Sequence, residues 1–403
     1  MRLLIISLDY PPSTSSTGVI VRQLAGELCR RGAKVTVITS GRAGSHDAGS
    51  AEALEQGVRI RRVPLPASRN TESALGRLWL FSLFNFLSLV VALGTGGADA
   101  VLAISPPFTS GIVGKIVATL KGIPSIYVVQ DLQTEAYVQF GVLRKPWLIA
   151  VFRTLERLAF ATNTRVVAIA ESFAVHMRAQ GVAGDRIAVI PNFVDTSEIR
   201  PLPRQNPFAI KNGLADRFVV MHAGSIAFRH GLETVIDAAA LLLDEPEILI
   251  AVVGDGSKRR ELENRIATLA LPNVRLMPFQ ARDDLPQLRA SADVHLVTLR
   301  RGMTLHSVPC KVYEIMAAGR PFLASVDAGS EIDRIARDTE SGVVVEPESA
   351  AALASAIRHL YYDRQATERR GTEGRAVAVD RYNVQTAALA YEALILDITA
   401  PSR

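Results

Sequence analysis

A chain of 403 residues, 48% hydrophobic and 21% charged, has room for two domains with a core each and is too apolar to be disordered. Its formal charge of +5 and pI near 9.3 suit contact with anionic lipid or a phosphorylated substrate, and it carries no RNA-binding signature, zinc finger or aromatic-interleaved basic run. Cys29 and Cys310 have neither metal-ligand spacing nor a disulfide framework, which fits a reducing, cytoplasmic setting.

Residues 3–8 are a nearly continuous apolar run, as a parallel strand covered on both faces requires. The run is short and is broken by Asp9-Tyr10-Pro11-Pro12, so a first buried strand is expected rather than a signal peptide. A Ser/Thr-rich loop then leads to Gly18. Residues 19–31 have helical spacing, with Val21, Leu24, Ala25 and Leu28 on one face. Gly32 stops the helix, and residues 34–39 read as the second strand. This strand–loop–helix–strand unit is the start of a Rossmann-like sheet. Its loop lacks the three-glycine dinucleotide fingerprint, which argues against a nicotinamide site.

Residues 41–53 are small and polar, hence a loop, and 58–63 alternate as an edge strand. The uncharged stretch 78–98 holds Trp79, Phe81, Phe84 and Phe86. Ser82, Asn85 and Ser88 interrupt it, and Gly94, Gly96 and Gly97 end it, so it does not read as a span. It is either a core helix or a helix docked at a membrane interface, with Arg69 and Arg77 nearby. Strands follow at 100–104, ending in Ser105-Pro106-Pro107, and at 124–129, ending in Gln130-Asp131. Ligands sit beyond the carboxyl ends of such strands, so Asp131 is either a cleft residue or a cap for the next helix. Ser105 and Glu171-Ser172 also end strands. Helices are expected at 111–120, 147–161 and 172–180, and a strand at 165–170. Asn192 beside Pro191 holds a turn, and 200–207 is a proline-rich linker marking a domain boundary.

The second half repeats the pattern. Strands are expected at 218–222, 248–253, 274–278, 294–298 and 343–345. Helices are expected at 232–243, 258–269, 284–291, 350–361 and 385–400. Gly224 stands between a strand and a helix, where a small residue lets backbone approach a phosphate. The stretch from His306 to Ala324 reads as a polar loop, a short amphipathic helix over 312–318, a stop at Gly319 and a strand after Pro321. The first helical turn offers backbone N–H groups to an anion such as a diphosphate. Glu314, just inside that helix, either lies in water or accepts two hydroxyl hydrogen bonds, as a ribose offers.

This stretch resembles the signature segment of retaining glycosyltransferases of family 4, and the likeness runs over most of the chain, toward bacterial enzymes that build cell-surface polysaccharides. The resemblance implies an α/β GT-B fold, two Rossmann-like domains with parallel sheets facing across a cleft. It implies an acceptor domain over 1–199, a linker over 200–215, a nucleotide-sugar domain over 216–380, and a last helix within 381–403 that crosses back. The family's signature is a Glu, seven residues and a second Glu. Glu314 matches the second, but His306 stands at the first. A neutral His accepts one hydrogen bond and donates one, so His306 either suits a different donor or is a solvated loop residue. Family members place an Arg after the first glycine of the second domain and a Lys further on. Here those positions are Ser225 and either Arg229 or His230, which leaves diphosphate neutralisation to Arg229, His230, Lys311 or backbone, unless Arg229 is a solvated loop charge. The helix start at Lys311-Val312, the turn glycines Gly254 and Gly256, and the segment with Met277 and Phe279 match the rest of the donor pocket. A tight turn alone also explains the two glycines.

In the first domain the family's paired glycines fall on Thr17-Gly18, where the hydroxyls of Ser16 and Thr17 either bind substrate or cap the helix. Asp131, His306 and Glu314 are thus the candidate catalytic groups, and Ser16, Thr17, Ser105 and Gln130 the candidate acceptor groups. The resemblance further implies a nucleotide-sugar donor, a UDP-sugar first, and a lipid-linked saccharide acceptor at the anionic inner face of the cytoplasmic membrane. It also implies retention by front-face displacement, with no metal or other cofactor. Two rivals share this outline: a nucleotide-sugar epimerase and a membrane-bound scaffold that has lost catalysis.

Overall fold

The computed structural model describes residues 1–13, 15–42, 52–66, 74–139, 141–305 and 307–400. Contacts divide the chain into two compact units, residues 1–193 with 306–308 and 384–403, and residues 194–305 with 309–383. Each is a Rossmann-like α/β domain.

The first unit runs β1 (Arg2–Ser7), α1 (Ser16–Arg30), β2 (Lys34–Arg42), β3 (Glu52–Glu55), β4 (Val58–Leu65), α2 (Ala74–Leu93) and β5 (Ala100–Ile104). It continues α3 (Ser110–Lys121), β6 (Ser125–Val129), α4 (Gln133–Gln139), α5 (Pro146–Thr162), β7 (Arg165–Ala168), α6 (Glu171–Ala179) and β8 (Ile187–Val189). The sheet order is β3-β4-β2-β1-β5-β6-β7-β8, and every pair is parallel except β3 with β4. Strand β4 is therefore not the edge. The short β3, Glu-Ala-Leu-Glu, pairs outside it and spares it an open row of backbone groups. Most of the expected loop before β3 lies outside the described residues.

The second unit runs α7 (Pro207–Lys211), β9 (Phe218–Ala223), α8 (Leu232–Ala240), β10 (Ile248–Val253), α9 (Arg259–Thr268), β11 (Val274–Met277), α10 (Leu285–Ala290) and β12 (Val294–Thr298). It continues α11 (Lys311–Ala317), β13 (Phe322–Ser325), α12 (Glu331–Thr339), β14 (Gly342–Val345), α13 (Ala350–Tyr362) and α14 (Arg364–Asp380). Its sheet, β11-β10-β9-β12-β13-β14, is wholly parallel. Successive side chains of a strand point to opposite faces. Phe218 and Val220 enter one core with Ile250 and Leu296, and Val219 and Met221 enter another with Leu249 and Ala251. Both faces are covered, which is why the strands are apolar at most positions. Helix α15 (Val384–Thr399) belongs to the first unit and packs on α1, with Arg31 paired to Glu392 at 2.7 Å.

Helix α2 resolves the ambiguous apolar stretch into two faces. Leu80, Phe84 and Ala92 pack against Leu4, Ile6 and Val101. Leu78, Trp79, Phe86, Val90 and Leu93 are exposed on the same helix. Phe84, expected among membrane-facing aromatics, is therefore a core residue. Arg69 and the side chain of Arg77 lie outside the described residues.

The two faces answer differently to substitution. Phe84→Ala empties a fully buried site and should cost about 3–5 kcal/mol in urea unfolding of the first unit. Phe86→Ser, at 63% exposure, should stay within about 0.5 kcal/mol of wild type. Equal losses would mean that the outer face is also packed.

Candidate active site

In the second sheet β9 pairs with β10 on one side and β12 on the other, so the winding reverses between β9 and β12. A parallel sheet opens a ligand crevice at the carboxyl ends of its strands there. Gly224 follows β9 with φ 147°, and Gly254 follows β10 with φ 151°. A Cβ on Gly254 would stand 1.8 Å from the Gly224 carbonyl oxygen, an approach only glycine allows. The Gly224 N–H donates to Val253 O at 2.9 Å and the Gly254 N–H to Met277 O at 3.0 Å, so the three strand ends are tied together.

The side chains at this crevice are cationic or imidazole. His230, buried, has Nδ1 3.1 Å from Thr298 O, and its Nε2 lies 3.2 Å from Ser225 Oγ and 3.3 Å from Arg229 Nε. A carbonyl only accepts, so Nδ1 carries the proton and Nε2 accepts from the other two. Burial first, then Lys311 and Arg229, push the His230 pKa down to about 3, which keeps the ring neutral. Lys311 opens α11 with Nζ 3.5 Å from Nδ1 of the fully buried His222. Burial and then Arg229 pull its pKa down to about 7, against the opposing pull of Glu314. Among the described residues neither Arg229 nor Lys311 forms an ion pair.

Glu314 is not in water. It is half-buried and makes an ion pair with Arg289 of α10. The start of α11 is tighter than a free anion cradle: Val312 N–H donates to Pro309 O at 3.3 Å and Tyr313 N–H to Cys310 O at 3.1 Å. On the β10–β11 side, Arg259 Nη1 donates to Gly254 O at 2.7 Å and Met277 O at 3.3 Å. Gly256, φ 151°, passes close under Ile226 O, Met277 is buried and Phe279 is exposed. A cavity of about 250 Å³ at the opposite strand ends, lined by Arg204, Asp293 and Arg320, lies away from these groups. Its Arg204 is already paired to Asp293 at 2.9 Å.

In the first sheet β1 pairs with β2 and β5, so its reversal falls at the ends of β1 and β5. Gly18 packs there with its virtual Cβ 3.2 Å from the Tyr10 backbone. Ser16 and Thr17 form the first turn of α1, and the N-cap residue Ser15 makes no side-chain cap bond. Ser105 and Gln130 are buried and serve each other: Gln130 N–H donates to Ser105 Oγ at 2.9 Å, and Asn192 Nδ2 donates to Gln130 Oε1 at 2.8 Å. Asn192 thus ties two strand ends rather than only holding a turn. Asp131 is half-buried and forms an isolated antiparallel bridge with Ser307. His306 lies outside the described residues.

The sequence reading missed His222, Arg259 and Arg289. A His two residues before a strand-end glycine is a usable signal for His222. Nothing in the sequence announces Arg289, which reaches Glu314 from 25 positions away. Among the described residues no group of three or more His, Cys, Asp or Glu could hold a metal ion, and no helix is long and apolar enough to cross a membrane.

Residues 16–192 match the family model of the glycosyl transferase 4-like domain, and residues 205–377 match that of the glycosyl transferases group 1. The chain is 27% identical over 375 residues to the putative colanic acid biosynthesis glycosyl transferase WcaI of Escherichia coli, covering 89% of this chain and 91% of that one. It is 23% identical over 262 residues to the Escherichia coli UDP-Gal:alpha-D-GlcNAc-diphosphoundecaprenol alpha-1,3-galactosyltransferase, covering 63% and 65% of the two chains. Among solved structures, that of Anabaena HepE in complex with UDP and glucose superposes with a TM-score of 0.75 at 19% identity, over 98% of this chain and all of that one. The fold is that of the GT-B glycosyltransferases.

Beneath the first unit's strand ends, Glu156 of α5 is 1% exposed and its Oε2 has no partner among the described residues. Burial pushes its carboxyl up from 4.5 to about 7, against a hydrogen bond from Thr134. The folded chain holds this proton between pH 4.5 and about 7, where the unfolded chain has lost it. The stability it gives is full below that window and is lost as pH rises through it. Glu156→Gln should flatten the fall in stability across the window. Parallel wild-type and variant curves would mean that the carboxyl titrates normally.

Proposed function

The chain belongs to the glycosyltransferases that these two family models describe, and we propose that it moves a sugar from a nucleotide diphosphate sugar to a hydroxyl of a lipid-linked saccharide, with retention. The observation that carries this reading is the pair Arg229 and Lys311: two cations without carboxylate partners among the described residues, at the reversal point of the second sheet, beside the Gly224 turn. Arg229 is exposed and Lys311 half-buried. Burying the Lys311 charge without a counter-charge is costly, and a diphosphate supplies that charge while Arg229 meets it from the open side. We assign neutralisation to these side chains and to no metal ion.

Glu314, held by Arg289, accepts the ribose hydroxyls with its remaining lone pairs. Gly254, Gly256, Met277 and Phe279 line the base side. As the sugar–phosphate bond breaks, negative charge grows on the leaving diphosphate, and Arg229 and Lys311 stabilise it more than they stabilise the bound donor. The leaving oxygen then takes the acceptor's proton on the face it departs, which retains configuration. The acceptor half is assigned to the first sheet's own reversal point, with Ser16, Thr17 and Asp131 as contacts and Ser105 and Gln130 as their support. A uracil base, and a place in surface-polysaccharide assembly, are taken from the relatives' named substrates and pathways.

The lipid acceptor gives the outer face of α2 a role. Trp79, Phe86, Val90 and Leu93 are exposed there, α3 packs beside α2 and exposes Leu120, and α5 packs beside α3 and exposes Trp147. Exposed Arg144 and Lys145 precede Trp147. Apolar rings with adjacent basic residues suit the headgroup layer of an anionic bilayer, each basic group adding about 1 kcal/mol at low salt.

Arg229→Ala and Lys311→Ala should each weaken binding of UDP about tenfold or more and leave uridine unchanged, read by calorimetry. Glu314→Ala should weaken both ligands alike. Equal losses for UDP and uridine in the first two variants would remove them from the diphosphate. In flotation with anionic liposomes, Trp79→Ser with Phe86→Ser should stay at the bottom of the gradient at high salt while wild type floats. Wild type that never floats would refute the membrane docking.

A further inference from the structure

His222 is a polar side chain at the crevice that neither the family pattern nor the proposed reaction uses. His222 ends β9 fully buried, with its ring 5.5 Å from that of His230. Its Nδ1 lies 3.5 Å from Lys311 Nζ, and its Nε2 lies 3.8 Å from where a Cβ on Gly224 would stand. With an anion bound Lys311 is an ammonium, which only donates, so Nδ1 then accepts and the proton sits on Nε2, on the side of the Gly224 turn. That Nε2 has no well-aligned hydrogen-bond partner among the described residues, although the Ser225 backbone lies close enough to the ring to favour its protonated form. An imidazole placed in a strand otherwise made of Phe, Val, Val, Met and Ala is expensive unless something uses it.

We propose that His222 is a positioning residue for the donor's diphosphate: its Nδ1 holds the Lys311 ammonium at the Gly224 turn, so that the cation faces the phosphate. Without that acceptor the lysine's four-carbon stem is free to turn away, and one cation of the pair is lost to the leaving group. His230 does the same for Arg229 and Ser225 through Nε2, locked in orientation by Thr298 O. The second unit thus carries two imidazole struts, one under each cation. This inference rests on the diphosphate lying at this crevice.

The test is a double-mutant cycle read by calorimetry. The tightest binder among UDP, GDP, ADP and dTDP is compared with its own nucleoside. His222→Gln moves the amide away from the Nδ1 position, whereas His222→Asn keeps an acceptor close to it. His222→Gln should weaken the diphosphate about tenfold and leave the nucleoside unchanged, and His222→Asn should stay within about twofold of wild type. In a Lys311→Met background both substitutions should have no further effect, because the group they hold is gone. Thermal melting identifies any variant that fails to fold, and the Asn variant then carries the comparison. An effect of His222→Gln that is the same with and without Lys311, or that falls equally on the nucleoside, overturns the positioning role. If Lys311→Met alone leaves diphosphate binding intact, or no nucleoside diphosphate binds, the diphosphate placement itself is wrong and the inference falls with it.

Discussion

The second unit depends on one close approach of backbone to backbone. Where β9 and β10 end, the Gly254 Cα hydrogens face the Gly224 carbonyl at a distance that excludes any side chain. Two glycines at φ near 150° are the condition for it. Because the strands end this close together, the chain after Gly224 must turn across the top of the sheet. That turn delivers Ser225, Arg229 and His230 to the place where the sheet reverses. A methyl group at Gly254 would push the turn away and scatter the side chains that it sets.

Electrostatics then selects what the crevice accepts. His222 and His230 are kept neutral by burial and by the nearby cations, Lys311 and Arg229. Lys311 itself is pulled toward a neutral amine, chiefly by burial. Such a set is poorly satisfied as it stands and is relieved by an anion, since a nearby negative charge favours the protonated forms of all these groups. Glu314 supplies only part of that charge to Lys311, because it is itself paired to Arg289. The carboxylate is thereby held in one orientation, with lone pairs left for hydroxyl donors.

Much of this was legible in the sequence where the physics is local. The central strands β1, β5, β6 and β10 read as apolar runs because helices cover both faces, and Gly224, Gly254 and Lys311 stand at ends of elements that periodicity locates. Three kinds of feature were not legible. Strand β3 is short and half charged, so nothing in Glu-Ala-Leu-Glu speaks for a strand apart from its partner β4. Helix α14 has weak apolar periodicity and two glycines, Gly371 and Gly374, which read as breakers. They are there because the helix passes close to neighbouring backbone: a Cβ on Gly371 would stand 2.4 Å from Gly319 O. Pairings such as Arg289 with Glu314 and Gln130 with Asn192 join residues far apart in sequence, and only the folded sheet brings them together. Residues 78–98 read as a core helix or a docked one; the core reading holds for the face with Leu80, Phe84 and Ala92, and the opposite face is exposed, a division that composition cannot show and burial does.

The account's central claim is that the second unit binds a nucleotide sugar by its diphosphate and that the enzyme releases that diphosphate when the sugar moves. Purified protein mixed with UDP-, GDP-, ADP- and dTDP-sugars and a lipid-linked saccharide extract, followed by NMR, tests it most directly. The account predicts release of one nucleoside diphosphate only when acceptor is present, with the anomeric configuration of the donor kept in the product. Release of none, or a product of inverted configuration, would contradict it.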